Sequence, residues 1–375
     1  MDITDAQHIL ICLRYGIGDL VMELPVLDTL RRVAPTARIS ALGAHPAVDL
    51  LDNDPRIDHV FSVQMWGFTH WGDAGDSDTT KQVKAWLCSR NFDLVLDASH
   101  AVVGVRDAIR ASGLPIRDTF EWMHNQGLAM GLDGLAAIQH AVHIGWGLRV
   151  SSTVRQRIHL TAADQAFAQR LVDTNFPGEG PLCALSPVAS SPLKRWPLPR
   201  LASLADELAA QLDARFLLFS GPQTWTVDEF LQSRRVQAPL LVIGELPLKR
   251  VAALLGQCDL YVGNDTGLMH LAAAMDVPVA AVFGPTSPRI YLPRRGRALH
   301  SVRECPHRRE HAMGPPACLI HGHCTQNVRS CVDDVDLAAV LDAVTYSMAR
   351  RPARIPRRDQ QRVTGNPHME NPTGT

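Results

Sequence analysis

Apolar residues along this chain gather in short dense runs, with longer stretches of mixed character between them. HILICLR (residues 8–14) is one such run, and its length and isoleucine content predict a buried strand. GDLVMELPVLDTLRRV (residues 18–33) follows it with apolar positions at helical spacing. ARISALGA (37–44), HVFSV (59–63) and FDLVLDAS (92–99) predict further strands, with helices between them. DAGDSDTT (73–80) is polar and reads as a loop, and residues 114–160 read as helices and a crossover. Near Leu182 the pattern restarts. LCALSPVAS (182–190), ARFLLFSGP (214–222), LLVIGEL (240–246), DLYVG (259–263) and VPVAAVFGP (277–285) read as strands. LPRLASLADELAAQL (198–212), PLKRVAALLGQC (247–258) and the small-residue segment after Gly267 read as the helices that link them. Alternation of this kind predicts an α/β chain of two similar units, each a parallel sheet with helices on both faces. Ligands of such units lie at the carboxyl ends of the strands.

Composition narrows the classes. The chain has 375 residues, 46% apolar and 20% charged, which suits a globular protein with a sizeable core. A net charge of −1 gives no global pull on nucleic acid. No apolar run reaches the roughly 18–20 residues that span a bilayer. The start, MDITDAQHILICLRYG, is acidic and runs straight into a strand rather than a signal peptide. These features predict a cytoplasmic protein without a transmembrane segment. Residues 351–375 are rich in Arg, Pro, Asn and Gly and predict a disordered tail, basic at its start through Arg351, Arg354, Arg357 and Arg358.

Three segments carry candidate chemistry. In GNDTGLMHLAAAMDVPVAAVFGP (263–285), Asp265 and Thr266 stand where a strand turns into a helix. Both are good N-caps, through side-chain oxygens that accept free N–H groups of the first turn. Gly267 permits close approach to the backbone, and the dipole and remaining N–H groups suit a phosphate. His270 shares a helix face with Thr266 and Gly267. A capped core helix with an internally satisfied histidine explains the same residues. In SPVASSPLKRWPLPRL (186–201), small residues precede Lys194 and Arg195, whose charge suits a diphosphate, although a Lys-Arg pair also suits a solvated surface. In RYGIGDLVMELPVLDTL (14–30), Gly16 and Gly18 suggest a dinucleotide fingerprint, but Val21 stands where the third glycine belongs. Asp19 at this turn suits a general base, and equally an N-cap. The four cysteines Cys305, Cys318, Cys324 and Cys331 lie among His307, His311, His321 and His323. Their spacing is looser than that of the usual structural zinc pairs, so a reduced loop and a structural zinc or iron site both fit.

Together these segments resemble glycosyltransferase family 9, the heptosyltransferases of lipopolysaccharide core assembly, over roughly residues 8–345. NDTGLMHLAAAMDVPVAAVFGPT is similar to the family's Asp-(Ser/Thr)-Gly signature, SPLKRWP to its Lys-x-Trp-Pro loop, and GDLVMELPVLDTLRR to its N-terminal Gly-Asp segment. The resemblance implies GT-B architecture, two Rossmann-like domains facing a cleft. Residues 1–160 would bind the acceptor and 161–350 the nucleotide-sugar, with a Cys/His-rich segment at 290–332. It implies inverting transfer without a catalytic metal, most readily of heptose from ADP-heptose to a glycolipid acceptor at the inner membrane surface. By resemblance Asp19 is the base and Lys194 neutralises the donor diphosphate. Asp265, Thr266, Gly267, Leu268 and His270 line the donor site beside Ser190. The sequence departs from the family pattern at Gln223, where some members carry a donor-contacting glutamate, and at Ala189, where some carry a hydroxyl. Another nucleotide-sugar, or a protein or capsule acceptor, keeps the same frame. The missing third glycine and the lack of a clear acidic ribose partner argue against a nicotinamide dehydrogenase, and the intact set of Asp19, Lys194 and His270 argues against a degenerate binding protein.

Overall fold

The computed structural model describes residues 2–63, 77–98, 103–119, 121–222, 225–301, 303, 305–326 and 329–349. Its first sheet comprises β1 (His8–Cys12), β2 (Arg38–Ala44), β3 (His59–Val63), β4 (Leu94–Asp97) and β5 (Ile116–Asp118). The strands are all parallel and run in the order β3-β2-β1-β4-β5. Helix α1 (Ile17–Val33) leaves β1, α2 (Ser77–Cys88) follows β3 and α3 (Val103–Arg110) follows β4. The hairpin α4 (Glu121–Ala129) and α5 (Gly134–Trp146) leads to α6 (Ala162–Asn175), whose start is fixed by a capping box of Thr161 and Asp164.

The second sheet comprises β6 (Leu182–Ser186), β7 (Arg215–Phe219), β8 (Leu240–Ile243), β9 (Leu260–Asn264), β10 (Val279–Phe283) and β11 (Gly296–His300). It too is parallel, in the order β11-β10-β9-β6-β7-β8. Helices α7 (Leu198–Leu212), α8 (Trp225–Ser233), α9 (Leu248–Leu255), α10 (Gly267–Ala274), α11 (Pro288–Tyr291), α12 (Ala317–His321) and α13 (Leu337–Ala349) complete the chain. Central strands are apolar on both faces because helices cover both. Ile9, Leu10, Ile11 and Cys12 are each fully buried, as are Leu260, Tyr261 and Val262.

In each sheet the strand order reverses beside the first strand, between β1 and β4 and between β6 and β9. In open parallel sheets of this kind, ligands lie in the crevice at such reversal points. The turn carrying Asp19 leaves β1, and the turns carrying Lys194 and Asp265 leave β6 and β9. The units are locked together by packing of α1 on α10 and of α5 on α11. Polar ties add to this. Lys249 Nζ donates to the carbonyls of Asp52 and, at 2.8 Å, His159, while Arg289 Nη2 donates to the Leu128 carbonyl at 2.9 Å.

Two local expectations change. Ser77 to Thr80 open α2 rather than continuing a loop, because Ser, Asp and Thr are favoured at helix starts as well as in loops. Residues 64–76 lie outside the described residues, as do Gln223 and the tail from residue 350. Within 114–160 the sheet gains a short edge strand, β5, too brief to stand out as an apolar run.

Candidate functional site

Asp265 opens the turn after β9 and is 4% exposed. A carboxylate taken so far from water needs a compensating charge. Lys194 supplies it, with Nζ 2.7 Å from Asp265 Oδ2, and Thr286 Oγ1 donates to the same oxygen at 2.6 Å. Burial pushes the Asp265 carboxyl up, but Lys194 and Thr286 outweigh burial and hold it below the ordinary carboxylate range. Neither Asp265 nor Thr266 caps α10 as the sequence suggested. Thr266 makes no side-chain cap bond, and the Asp265 carboxylate is turned to Lys194 and Thr286. The Thr266 hydroxyl lies instead 3.4 Å from the buried Tyr261 phenol, whose pKa burial pushes up to about 12. The first turn of α10 therefore keeps N–H groups that no side chain caps.

The loop holding Lys194 is tied to β9 by Asn264. Its Oδ1 accepts from the Trp196 backbone N–H at 2.9 Å, and its Nδ2 donates to the Pro187 carbonyl at 2.8 Å. Arg195 folds back on the same loop, donating from Nε and Nη2 to the Ala189 carbonyl at 3.2 and 3.1 Å. Ser190 is exposed on this loop, and Leu268 is half-buried on α10.

Asp19 lies in the first turn of α1, whose N-cap is Gly16. Its side chain is 29% exposed, and Oδ1 is 3.6 Å from Arg14 Nη1. The two glycine-bearing helix starts meet. A Cβ on Gly267 would stand 2.6 Å from Ile17 Cβ and 3.3 Å from the Gly18 nitrogen, and a Cβ on Gly18 would stand 2.7 Å from His270 Cδ2. The close approach that Gly267 permits is thus made by α1. It also covers the Gly18 face on which a nicotinamide pyrophosphate would have to lie. His270 is buried, and its Nδ1 has no hydrogen-bond partner among the described residues. Burial holds its pKa below the ordinary imidazole value, against the pull of Asp265 and Asp19. Tyr291 on α11 feels both aspartates and is pushed up, chiefly by burial.

The structure thus gathers Asp19, Lys194, Asp265, Thr266, Gly267 and His270 where α1 and α10 abut. Sequence reasoning passed over Thr286, Asn264, Arg14 and Glu23. Two of these carried a readable signal: Asn264 is a polar residue closing the apolar run DLYVGN, and Glu23 is a lone charge inside LVMELPVL.

Cys305, Cys318, Cys324, Cys331 and His307 line one cavity of about 30 Å³, beside Leu193 of the Lys194 loop. Burial raises Cys318 to about 11 and raises Cys331. Among the described residues, no three His, Cys, Asp or Glu side chains are gathered closely enough to hold a metal ion. The cysteines therefore share a cavity without forming a metal centre as they stand, and the cavity does not include the residues around Asp19.

The family model for glycosyltransferase family 9 (heptosyltransferase) matches residues 135–314, a span that contains both the Lys194 loop and the Asp265 turn. This match and the curated relatives support glycosyltransferase family 9 as the family of this chain. Lipooligosaccharide heptosyltransferase 2 of Haemophilus influenzae is 34% identical over 125 residues, 32% of this chain and 36% of that protein. The alignment thus spans about a third of that relative's length. A glycosyl transferase family 9 structure from Veillonella parvula has a TM-score of 0.73 at 17% identity, covering 93% of this chain and 98% of that one. The E. coli ADP-heptose lps heptosyltransferase II structure has a TM-score of 0.65 at 18% identity, covering 92% and 100%. The family 9 fold here is GT-B, as the two parallel sheets and these neighbours agree. No helix among its described residues is long and apolar enough to cross a membrane.

Proposed function

We propose that this family 9 chain is an inverting glycosyltransferase that moves heptose from ADP-heptose to a lipopolysaccharide core acceptor. Residues 1–160 take the acceptor and 161–350 the donor. The observation that carries this reading is the abutment of α1 and α10. It sets a half-exposed carboxylate, Asp19, opposite a lysine and an uncapped helix start. The relatives named above support heptose and ADP as the donor chemistry.

Asp19 takes the proton of the acceptor hydroxyl as its oxygen bonds to the anomeric carbon. The bond from that carbon to the diphosphate oxygen breaks on the opposite face, which inverts the centre. Negative charge grows on the departing ADP. The free N–H groups and dipole of α10, with the Lys194 ammonium, stand ready for it. Gly267, Leu268, Thr266 and Ser190 border the donor, and His270, kept neutral by burial, offers a hydrogen-bonding nitrogen without adding charge. No step needs a metal.

Incubation with ADP-heptose and a core acceptor should release ADP at a rate unchanged by a chelator, and Asp19→Ala should bind ADP-heptose without turning over. Native turnover in Asp19→Ala would remove Asp19 from the chemistry. A thermal-shift screen of ADP-heptose against UDP- and GDP-sugars tests the donor, because a ligand of the folded state raises its stability. An unchanged core by mass spectrometry in a deletion strain would move the acceptor to a protein or capsule glycan. It would also remove the reason to place the protein in the cytoplasm at the inner membrane surface.

A further inference from the structure

Arg14 sits between the end of β1 and the Asp19 turn, with only 4% of its surface exposed. Glu23, one turn beyond Asp19 on α1 and 3% exposed, holds it at two points. Arg14 Nε donates to Glu23 Oε1 at 2.7 Å, and the Arg14 backbone N–H donates to Oε2 at 3.1 Å. With Nε fixed, the planar guanidinium has one orientation left. That orientation aims Nη1 at Asp19 Oδ1, 3.6 Å away, with the Met313 sulfur 3.9 Å off, while Nη2 is buried without a hydrogen-bond partner among the described residues. On its other side the Asp19 carboxylate fills the space that a Cβ on Gly16 would need. The carboxylate is therefore bracketed between a glycine and a guanidinium that is itself clamped.

We propose that Arg14 is the positioning residue for Asp19, holding its carboxylate in place, and that Glu23 orients Arg14. This rests on Asp19 being the base of the transfer. The groups that face Asp19 are Arg14 from its own loop, Glu23 from α1, His270 from α10 and Tyr291 from α11. Burial holds the imidazole down and the phenol up, so both are neutral near pH 7. Among the described residues, Arg14 is the cation set against the carboxylate. A pair buried for stability alone would have no reason to turn Nη1 toward a partly exposed aspartate and leave Nη2 unpartnered among the described residues.

The test separates kcat from KM for the acceptor, measured on the full chain at saturating donor. A carboxylate that has lost its clamp still meets the acceptor but in the wrong place, so Arg14→Gln should lower kcat by about a hundredfold with the acceptor KM within a few fold of native. Arg14→Lys, which keeps the charge without the planar fork, should recover part of that loss, and Glu23→Gln, which loosens the clamp, should lower kcat by a smaller factor. Native kcat in Arg14→Gln, or a loss confined to KM, would overturn the proposal. ADP affinity, set by the other unit, reports that each variant is folded. If Arg14→Gln does not fold, a native kcat in Glu23→Gln overturns the proposal by itself. Asp19→Asn, run in parallel, separates the two levels. Native turnover there defeats the base assignment itself, whereas a dead Asp19→Asn with native kcat in Arg14→Gln defeats only the role of Arg14.

Discussion

Asp19 and Asp265 occupy equivalent places, each in the turn from a central strand into a helix beside the point where strand order reverses. Their surroundings differ. The Asp19 side chain is 29% exposed, with Arg14 at 3.6 Å, while the Asp265 side chain is 6% exposed and bound to Lys194 at 2.7 Å and Thr286 at 2.6 Å. One carboxylate keeps lone pairs that an incoming hydroxyl can reach. The other has spent them on groups of its own unit, and in doing so fixes the lysine at the mouth of the donor site. The same residue in the same kind of turn thus serves as reagent in one unit and as scaffold in the other. Solvent access and the nearest cation decide which.

The largest test of this contrast is to remove each carboxylate in turn. Asp19→Asn should lower kcat by about a thousandfold, within the range of a general base, with ADP-heptose affinity within a few fold of native. Asp265→Asn should instead weaken ADP binding and lower Tm, and equal kinetic signatures for the two variants would end the distinction. Next in size is Lys194→Ala, which strands a buried carboxylate and should cost about 3 kcal/mol of stability in denaturant titration. Lys194→Met with Asp265→Leu should recover most of that stability without recovering transfer, since an apolar pair can replace a buried ion pair but cannot receive a diphosphate. Smaller is Gly267→Ala, whose Cβ would stand 2.6 Å from Ile17 Cβ and force α1 from α10. Overpacking of this kind costs about 1–3 kcal/mol, and steady-state kinetics should show kcat falling more than donor affinity.

The smallest effect is on pH dependence. Burial lowers the folded-state pKa of His270, so below the ordinary imidazole value of about 6.5 the unfolded chain binds more protons. Stability from this group is complete above that value and declines as pH falls through it. Asp265, also lowered on folding, contributes stability above the unfolded carboxylate value and loses it as pH falls through the folded one, in a more acid window. His270→Gln should therefore flatten Tm against pH between about 5 and 6.5 and leave the more acid slope in place.

Much of the frame was legible in the chain. Apolar runs such as HILIC and DLYVG announced central strands because parallel strands covered on both faces need no polar residue. The segments bearing Asp19, Lys194 and Asp265 stood out because turns at strand ends concentrate glycine and polar residues. The details failed where distant residues competed with local ones. Asp265 looks like a cap from its neighbours alone, yet its Oδ2 is met by Thr286 and Lys194, both remote in sequence. Gly267 looks like room for a ligand on every side, yet α1 packs against the face where a Cβ would stand. Glu23 was hidden because a helical pattern of apolar positions absorbs one charge without changing its period.

The sequence by itself determined the alternation of strands and helices, the two-unit division that alternation implies, and the residue types at three strand ends. Those follow from spacing and propensity, which act over a few residues. Only the tertiary structure decided which aspartate is buried, which cation each one meets, and that the two helix starts touch through Gly18, Gly267 and His270. Burial and Coulomb energy depend on separations in space, and no local pattern fixes the distance between residues that lie far apart along the chain.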